Sequence, residues 1–272
     1  MLFVDNIRKI VKLGIASSYL KDEDTYLNIL LVANPEAGKT SILLSFDFNK
    51  LKNVYTFTDM TKSSLQTFIK KLNNPKEELK YVILPDLVSV FSHGRDTRRA
   101  LVGLLNVALE EGVREVSTYI SGLVDIKNLN EPVRFGLATG VTKQVLLNMA
   151  RYWRSIGFIS RLLPVSYDYT KEQIKEIREY IASSKEVFTG KEVLKLKTKT
   201  IECDKDYVLH FEPYINKLSM AQLLYGFRYT RQFRIMLKAN ALLRGSDRVT
   251  DKDVEEVEKL MKWVNLDFNK LE

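Results

Sequence analysis

At 272 residues, 45% hydrophobic and 28% charged, the chain is long enough to bury a substantial core and to carry one large domain plus a small one. No apolar run reaches the length of a membrane span, and Met1 to Ile15 mixes charges into its apolar positions, so an intracellular, cytoplasmic protein without signal peptide or anchor is expected. One cysteine, Cys203, and two histidines, His93 and His210, exclude an internal disulfide and a Cys/His zinc site, which leaves Mg²⁺ on oxygen as the expected metal chemistry. A formal net charge of +8 and a pI near 9.3 favour an anionic partner, either nucleic acid or an acidic protein surface.

In chain order, Ile7, Ile10 and Val11 give residues 2–13 the spacing of a short amphipathic lead-in helix, with Gly14 as its stop. Tyr26 to Leu44 then reads as a buried strand, a tight turn and the start of a helix. Within it, Ala33-Asn34-Pro35-Glu36-Ala37-Gly38-Lys39-Thr40 meets the phosphate-loop pattern GxxxxGK[ST] everywhere except at the first glycine. The chemistry tolerates that change. Gly38 lets backbone approach phosphates, a helix opening at Thr40 offers unpaired N–H groups, Lys39 can reach terminal phosphates, and the Thr40 hydroxyl can ligate Mg²⁺. Residues Asn34 through Ser41 are the candidate nucleotide contacts, against the alternative of an ordinary strand-turn-helix containing Gly-Lys-Thr.

Asn53 to Thr58 alternates like a second strand, followed by a helix over 63–72 that ends at Asn73-Asn74-Pro75. Lys80 to Leu84 is a compact apolar run closed by Pro85-Asp86, a third strand buried on both faces. Asp96 or Thr97 is expected to cap the next helix, whose apolar stripe runs from Ala100 to Leu109 before Gly112. A hairpin is expected over Val116 to Val124, a core strand over Val133 to Ala138, helix through Trp153, and a last strand from Leu163 to Tyr167. Strand alternating with helix specifies a parallel sheet.

From Thr170 the sequence turns helical and more charged. Thr170 with Gln173 forms a capping box, Ile174, Ile177 and Ile181 mark an apolar helix face, and residues 199–211 read as a hairpin or loop insertion. Helices follow over 228–243 and 250–264, the latter with Thr250 as cap. The expected organisation is a lead-in helix over 1–20, an αβα nucleotide-binding core over 21–168, and a helical domain with its insertion over 169–272.

Several motifs follow one another in a fixed order: Asn34 to Thr40, Tyr81 to Asp86, Arg134 to Thr142, Phe158 to Arg161, and Thr230 to Phe233. In that order they resemble the Walker A, Walker B, first sensor, arginine-finger and second sensor motifs of the AAA+ ATPase family, over about Tyr26 to Val264. The stretch RYTRQFRIMLKANALLRGSDRVTDKDVEEV is similar to the end of minichromosome-maintenance helicases. The resemblance implies a three-layer αβα P-loop NTPase core with a parallel sheet and a small, mainly helical lid. It also implies ATP and Mg²⁺ as ligands, and a homo-oligomer, ring or filament, with sites at subunit interfaces.

Under this resemblance Asp86 holds Mg²⁺ through water, and Thr139, or alternatively Thr142, orients water or the γ-phosphate. Arg161, with Arg154 competing for the role, reaches the neighbouring subunit's nucleotide. Arg231 contacts the phosphates of its own subunit, although Arg228, Arg231, Arg234 and Lys238 share a helical stripe that reads equally as a solvated face.

The chain departs from the family at Leu87, where a water-activating Glu is usual. A general base contributes roughly 10²–10⁴-fold, so slow hydrolysis is expected, with Asp59 a possible substitute and Leu87→Glu expected to raise turnover. Arg95, Arg98 and Arg99 crowd a helix start where cations oppose the dipole, and with Lys127 in the following hairpin they are the candidate DNA contacts. The expected function is an ATPase that assembles on, loads onto or remodels DNA. The alternative is a slowly hydrolysing, ATP-gated scaffold that recruits partner proteins. His93, Cys203 and His210 carry no expected role.

Overall fold

The computed structural model describes residues 2–72, 80–88, 90, 94–114, 131–183 and 191–266. The expected hairpin over Val116 to Val124, Lys127 and His93 fall outside them. Helix α1 (Asp5–Ser17) leads into β1 (Ile29–Val32) and the short α2 (Lys39–Leu43). Next come β2 (Val54–Thr56), α3 (Lys62–Leu72), β3 (Tyr81–Leu84) and α4 (Arg95–Ala108). Strand β4 (Gly136–Val141), α5 (Lys143–Ser155) and β5 (Leu163–Ser166) complete a five-stranded, all-parallel sheet of order β2-β3-β4-β1-β5. Five helices follow: α6 (Lys171–Ala182), α7 (Lys205–Leu209), α8 (Glu212–Met220), α9 (Phe227–Arg244) and α10 (Asp251–Glu258).

Strand β1 is fully buried and pairs with β4 on one side and β5 on the other, with Ile29 opposite both Ala138 and Leu163. Its side chains alternate between two cores, as the strand period of two requires. Ile29 and Leu31 join α1, α2 and α9, whereas Leu30 and Val32 join α3, α4 and α5. The helix after β1 therefore crosses to β2 on one face, and the helices after β2, β3 and β4 return on the other. Right-handed crossovers demand this arrangement, because β1 connects in the opposite direction along the sheet from the rest.

Several expectations need correction. Gly14 does not stop the first helix: α1 continues to Ser17, and a Cβ at Gly14 would sit 2.3 Å from Tyr81 Oη and 2.6 Å from Ile29 Cδ1. The glycine is there for close helix-sheet approach. Helix α1 is also no peripheral lead-in, since Ile7, Ile10, Val11, Leu13 and Ile15 are at most 1% exposed. At about 1.5–3 kcal/mol for each buried aliphatic side chain, it is part of the main core. The fourth strand begins three residues later than expected. Val133 instead forms an isolated antiparallel bridge with Val113, and Gly136 opens β4 because Tyr81 packs against it.

Asp96 and Thr97 sit inside the first turn of α4, whose N-cap is Gly94 without a side-chain hydrogen bond. The capping box of Thr170 and Gln173 forms, but α6 buries none of its residues, and Ile174 and Ile181 are exposed. In place of a hairpin over 199–211, residues 199–204 run extended, with bridges from Lys199 to Leu20 and from Glu202 to Arg248, and α7 follows. Helix α10 ends at Glu258 rather than near 264, and residues 259–263 form turns.

The contact at Gly14 gives a direct test. Gly14→Ala should destabilise the protein by about 1–3 kcal/mol through overpacking against Tyr81. Gly103→Ala, at a mid-helix position with nothing within 4 Å of the added Cβ, should be neutral or stabilising by about 0.5–1 kcal/mol. Urea unfolding of both variants measures the contrast.

Candidate functional site

In open α/β sheets ligands bind beyond the carboxyl ends of the strands, where neighbouring connections depart to opposite faces. Here that point lies between β1 and β4, the strands leading to α2 on one face and α5 on the other. The turn of residues 33–38 leaves β1 at this crevice. Gly38 takes φ +81°, a left-handed conformation that glycine adopts without steric cost, and Glu36 takes φ +62°. The first i→i−4 bond of α2 runs from Ile42 N–H to Gly38 O at 2.9 Å, so the N–H groups of Gly38 through Ser41 precede the helical ladder.

Helix α2 opens at Lys39 rather than Thr40 and spans five residues, so its macrodipole is small and the local N–H groups dominate what the turn offers an anion. Asn34, Pro35, Glu36 and Thr40 are exposed, while Ala37 is buried. Lys39 folds over the turn, donating from Nζ to Ala33 O at 2.9 Å and Asn34 O at 2.8 Å. Burial holds its ammonium below the usual lysine value, and the charge of Asp86 opposes that shift. Asp86, just past β3, is exposed and accepts a hydrogen bond from Val88 N–H at 2.8 Å. The ends of β1 and β3 thus bring Lys39 and Asp86 into each other's field, across β4.

Gly140 makes this approach possible. A Cβ there would meet Pro85 O at 3.2 Å and the Lys39 side chain at 3.5 Å. The other anchors of the turn come from beyond β5: the hydroxyls of Tyr167 and Tyr169 each donate to Ala37 O at 3.0 Å. Burial raises both phenols above their ordinary value, so they remain donors through neutral pH. Between them, Asp168 accepts from Asn34 Nδ2 at 3.3 Å and pairs with Lys143 at the start of α5. Sequence reading missed Gly140, Lys143, Tyr167, Asp168 and Tyr169. Their signal was positional, since every parallel strand ends at the same edge of the sheet.

The remaining candidates are placed differently. Thr139 is fully buried, and its Oγ1 has no hydrogen-bond partner. Because Gly140 faces Lys39, strand alternation turns Thr139 to the opposite face with Leu137 and Val141. Thr142 caps α5, accepting from Val145 N–H at 3.3 Å. Leu87 is 0% exposed within the core of that second face. Asp59 accepts from Met60 N–H beside β2, three strand spacings or roughly 14 Å from β1.

Arg161 is engaged within its own chain: Nη1 donates to Gly157 O at 2.6 Å, Nη2 to Glu111 Oε1 at 2.9 Å, and Nε lies 3.3 Å from Glu110 Oε2. Arg228 pairs with the same Glu110, and Arg231 lies 3.6 Å from it. This cluster sits at the amino edge of the sheet, where Asn28 and Gln232 both donate to Arg161 O. Lys39 leaves the far end of β1, roughly 16 Å away by strand rise, so Arg231 does not approach its own chain's turn. Rather than forming a solvated stripe, Arg234 and Lys238 pair with Glu23, and Lys238 also with Asp22.

Arg95 and Arg99 are exposed and Arg98 half-buried, on one side of α4 by their i, i+3, i+4 spacing. Helix α4 follows β3, so its first turn lies at the same edge of the sheet as the turn of Lys39. Cys203 is half-buried and its thiol is pushed up to about 11, first by burial, which makes it unreactive. Among the described residues no cluster of three His, Cys, Asp or Glu side chains could cage a metal, and no helix is long and apolar enough to cross a membrane. The chain matches no protein-family model and no curated protein sequence.

The burial of Leu87 adds a stability cost to the expectation that Leu87→Glu raises turnover. A carboxylate there would enter an apolar core without a described partner. The variant should lose about 3–5 kcal/mol of stability, the scale set by an unpaired buried charge, before any gain in turnover can be read. Urea unfolding beside a turnover assay checks this.

Proposed function

We propose that the chain is an AAA+ type ATPase: a P-loop NTPase core and a helical lid that bind ATP with Mg²⁺ and act on DNA as an oligomer. The observation that carries the reading is the position of Lys39, partly desolvated, on a glycine-hinged turn at the switch point of a parallel sheet and within the field of Asp86. Two loop carbonyls now satisfy Lys39. Phosphate oxygens would replace them and add the attraction of opposite charges, since acceptor as well as donor would then be ionised.

The exposed N–H groups from Gly38 to Ser41 would hold the same phosphates, and the tyrosine pair on Ala37 O would keep the turn in shape. The donor set fits Mg²⁺, which retains waters and takes one or two protein oxygens plus phosphates. Thr40 and Asp86 would supply those oxygens, and the ion would neutralise charge between the phosphates.

A second reading, an ATP-gated switch that recruits partner proteins, is favoured by Leu87. With an apolar side chain in the core where the usual Glu would stand, and Asp59 at the far edge of the sheet, the candidate base does not reach the turn. Within one chain Arg161 pairs with Glu110 and Glu111, and Arg231 lies near Glu110. Slow turnover follows under both readings. DNA contact is assigned to Arg95, Arg98 and Arg99.

Turnover with and without single- and double-stranded DNA, beside a sizing measurement, separates the readings. Slow hydrolysis stimulated by DNA identifies the DNA-acting enzyme. ATP-dependent assembly with turnover indifferent to DNA identifies the switch. Lys39→Ala should abolish turnover at unchanged thermal stability, since its ammonium bonds only carbonyls of its own turn. Turnover unaffected by that substitution would reject the site.

A further inference from the structure

A groove of about 910 Å³ runs along the β5 edge of the sheet, between α5, α8 and the turns that follow α10. Lys143 and Arg154 enter it from α5, Lys217 from α8, and Lys259 and Lys262 from the last segment. Two carboxylates, Asp168 and Glu258, share the lining, and Lys259 pairs with a third, Glu256, at 2.8 Å. Asp168 is already engaged by Lys143 and Asn34, and Glu258 lies 3.6 Å from His210. Three segments far apart in sequence thus bring cations to one groove. Lys143 and Lys259 are held by carboxylates, while the exposed Lys217 and Lys262 present their ammonium groups to the groove.

The lining is not charge alone. Half-buried Tyr214 contributes an aromatic surface, and the Lys262 ammonium sits 4.0 Å over the ring centre of Trp263 beside the groove. A peptide seeking the free edge of β5 finds it taken. Ser166 N–H donates to Trp263 O at 2.8 Å, and Val165 bridges Val264. A concave, strongly basic trough with aromatic side chains suits a strand of phosphodiesters whose bases can stack.

We propose that this groove binds a single-stranded nucleic acid, as a second surface apart from Arg95, Arg98 and Arg99. The inference rests on the reading of the chain as a DNA-acting protein. Binding of a short labelled oligothymidylate to the full chain, followed by anisotropy across salt concentrations, tests it. Lys217 and Lys262 are both exposed, so the double variant Lys217→Ala, Lys262→Ala should fold normally, which circular dichroism verifies.

The double variant should bind at least tenfold more weakly at low salt. Its log–log salt slope should be shallower by about 1.4, the loss of two single-strand phosphate contacts at about 0.7 each. Unchanged affinity and slope, with binding lost instead in Arg95→Ala, Arg98→Ala, Arg99→Ala, would overturn the groove and leave the DNA reading intact. No binding by the wild-type chain at low salt would reject both. Displacement of the oligonucleotide by polyglutamate of equal charge would overturn the proposal in favour of an acidic protein partner.

Discussion

Burial of β1 on both faces is the constraint on which the rest of the molecule depends. Each of its four side chains belongs to one of two cores, so a one-residue slip would send Ile29 and Leu31 into the wrong layer and strand Leu30 and Val32 in the other. Register is therefore fixed by apolar packing far more than by hydrogen bonds. The turn that leaves Val32 inherits that precision, and through it Lys39 is delivered to a single place beside Gly140 and Asp86. The tyrosines from the end of β5 hold the same turn from its other side, because β5 is locked to β1 in the same register.

A second constraint is electrostatic and joins the helical region to the α/β part. Glu110, at the end of α4, gathers Arg161, Arg228 and Arg231, and Glu23, before β1, gathers Arg234 and Lys238. The Glu23 side chain is 2% exposed and that of Lys238 9%, so the pair gives up solvation that its attraction has to offset. Removing one partner would leave the other buried and uncompensated. Such pairs specify how α9 seats against the segment before β1 and the end of α4 more than they add to stability. They also hold the arginines that sequence alone assigned to phosphates: Arg161 against Glu110 and Glu111, and Arg231 within 3.6 Å of Glu110.

What could be read in the sequence divides along the same physical line. Apolar runs such as Tyr81 to Leu84 and Leu163 to Val165 announced their strands, and the parallel α/β class followed from alternation with helices. Local chemistry was also legible: Thr170 with Gln173 caps α6, and the turn from Asn34 to Thr40 joins a strand to a helix. Contacts across long sequence separations were not legible. Nothing near Gly14 reveals that Tyr81 will lean on it, and nothing near Ala37 reveals the hydroxyls of Tyr167 and Tyr169. The apolar stripe of α6 was legible as periodicity, but its exposure was not, since periodicity states which residues share a face and not whether anything covers it. Thr139 was chosen by resemblance to the first sensor motif, and a single step in strand parity sends its hydroxyl to the opposite layer from Lys39.

The central claim is that the turn at the β1–β4 crevice receives a nucleoside triphosphate. Calorimetric titration of the full chain with ATP, with and without Mg²⁺, tests that claim without reference to turnover, oligomer or DNA. The account predicts saturable, Mg²⁺-strengthened binding that is lost in Lys39→Ala and weakened when Gly140→Val crowds the lysine, both variants remaining folded. Absence of ATP binding by the wild-type chain, or binding indifferent to Lys39, would contradict it.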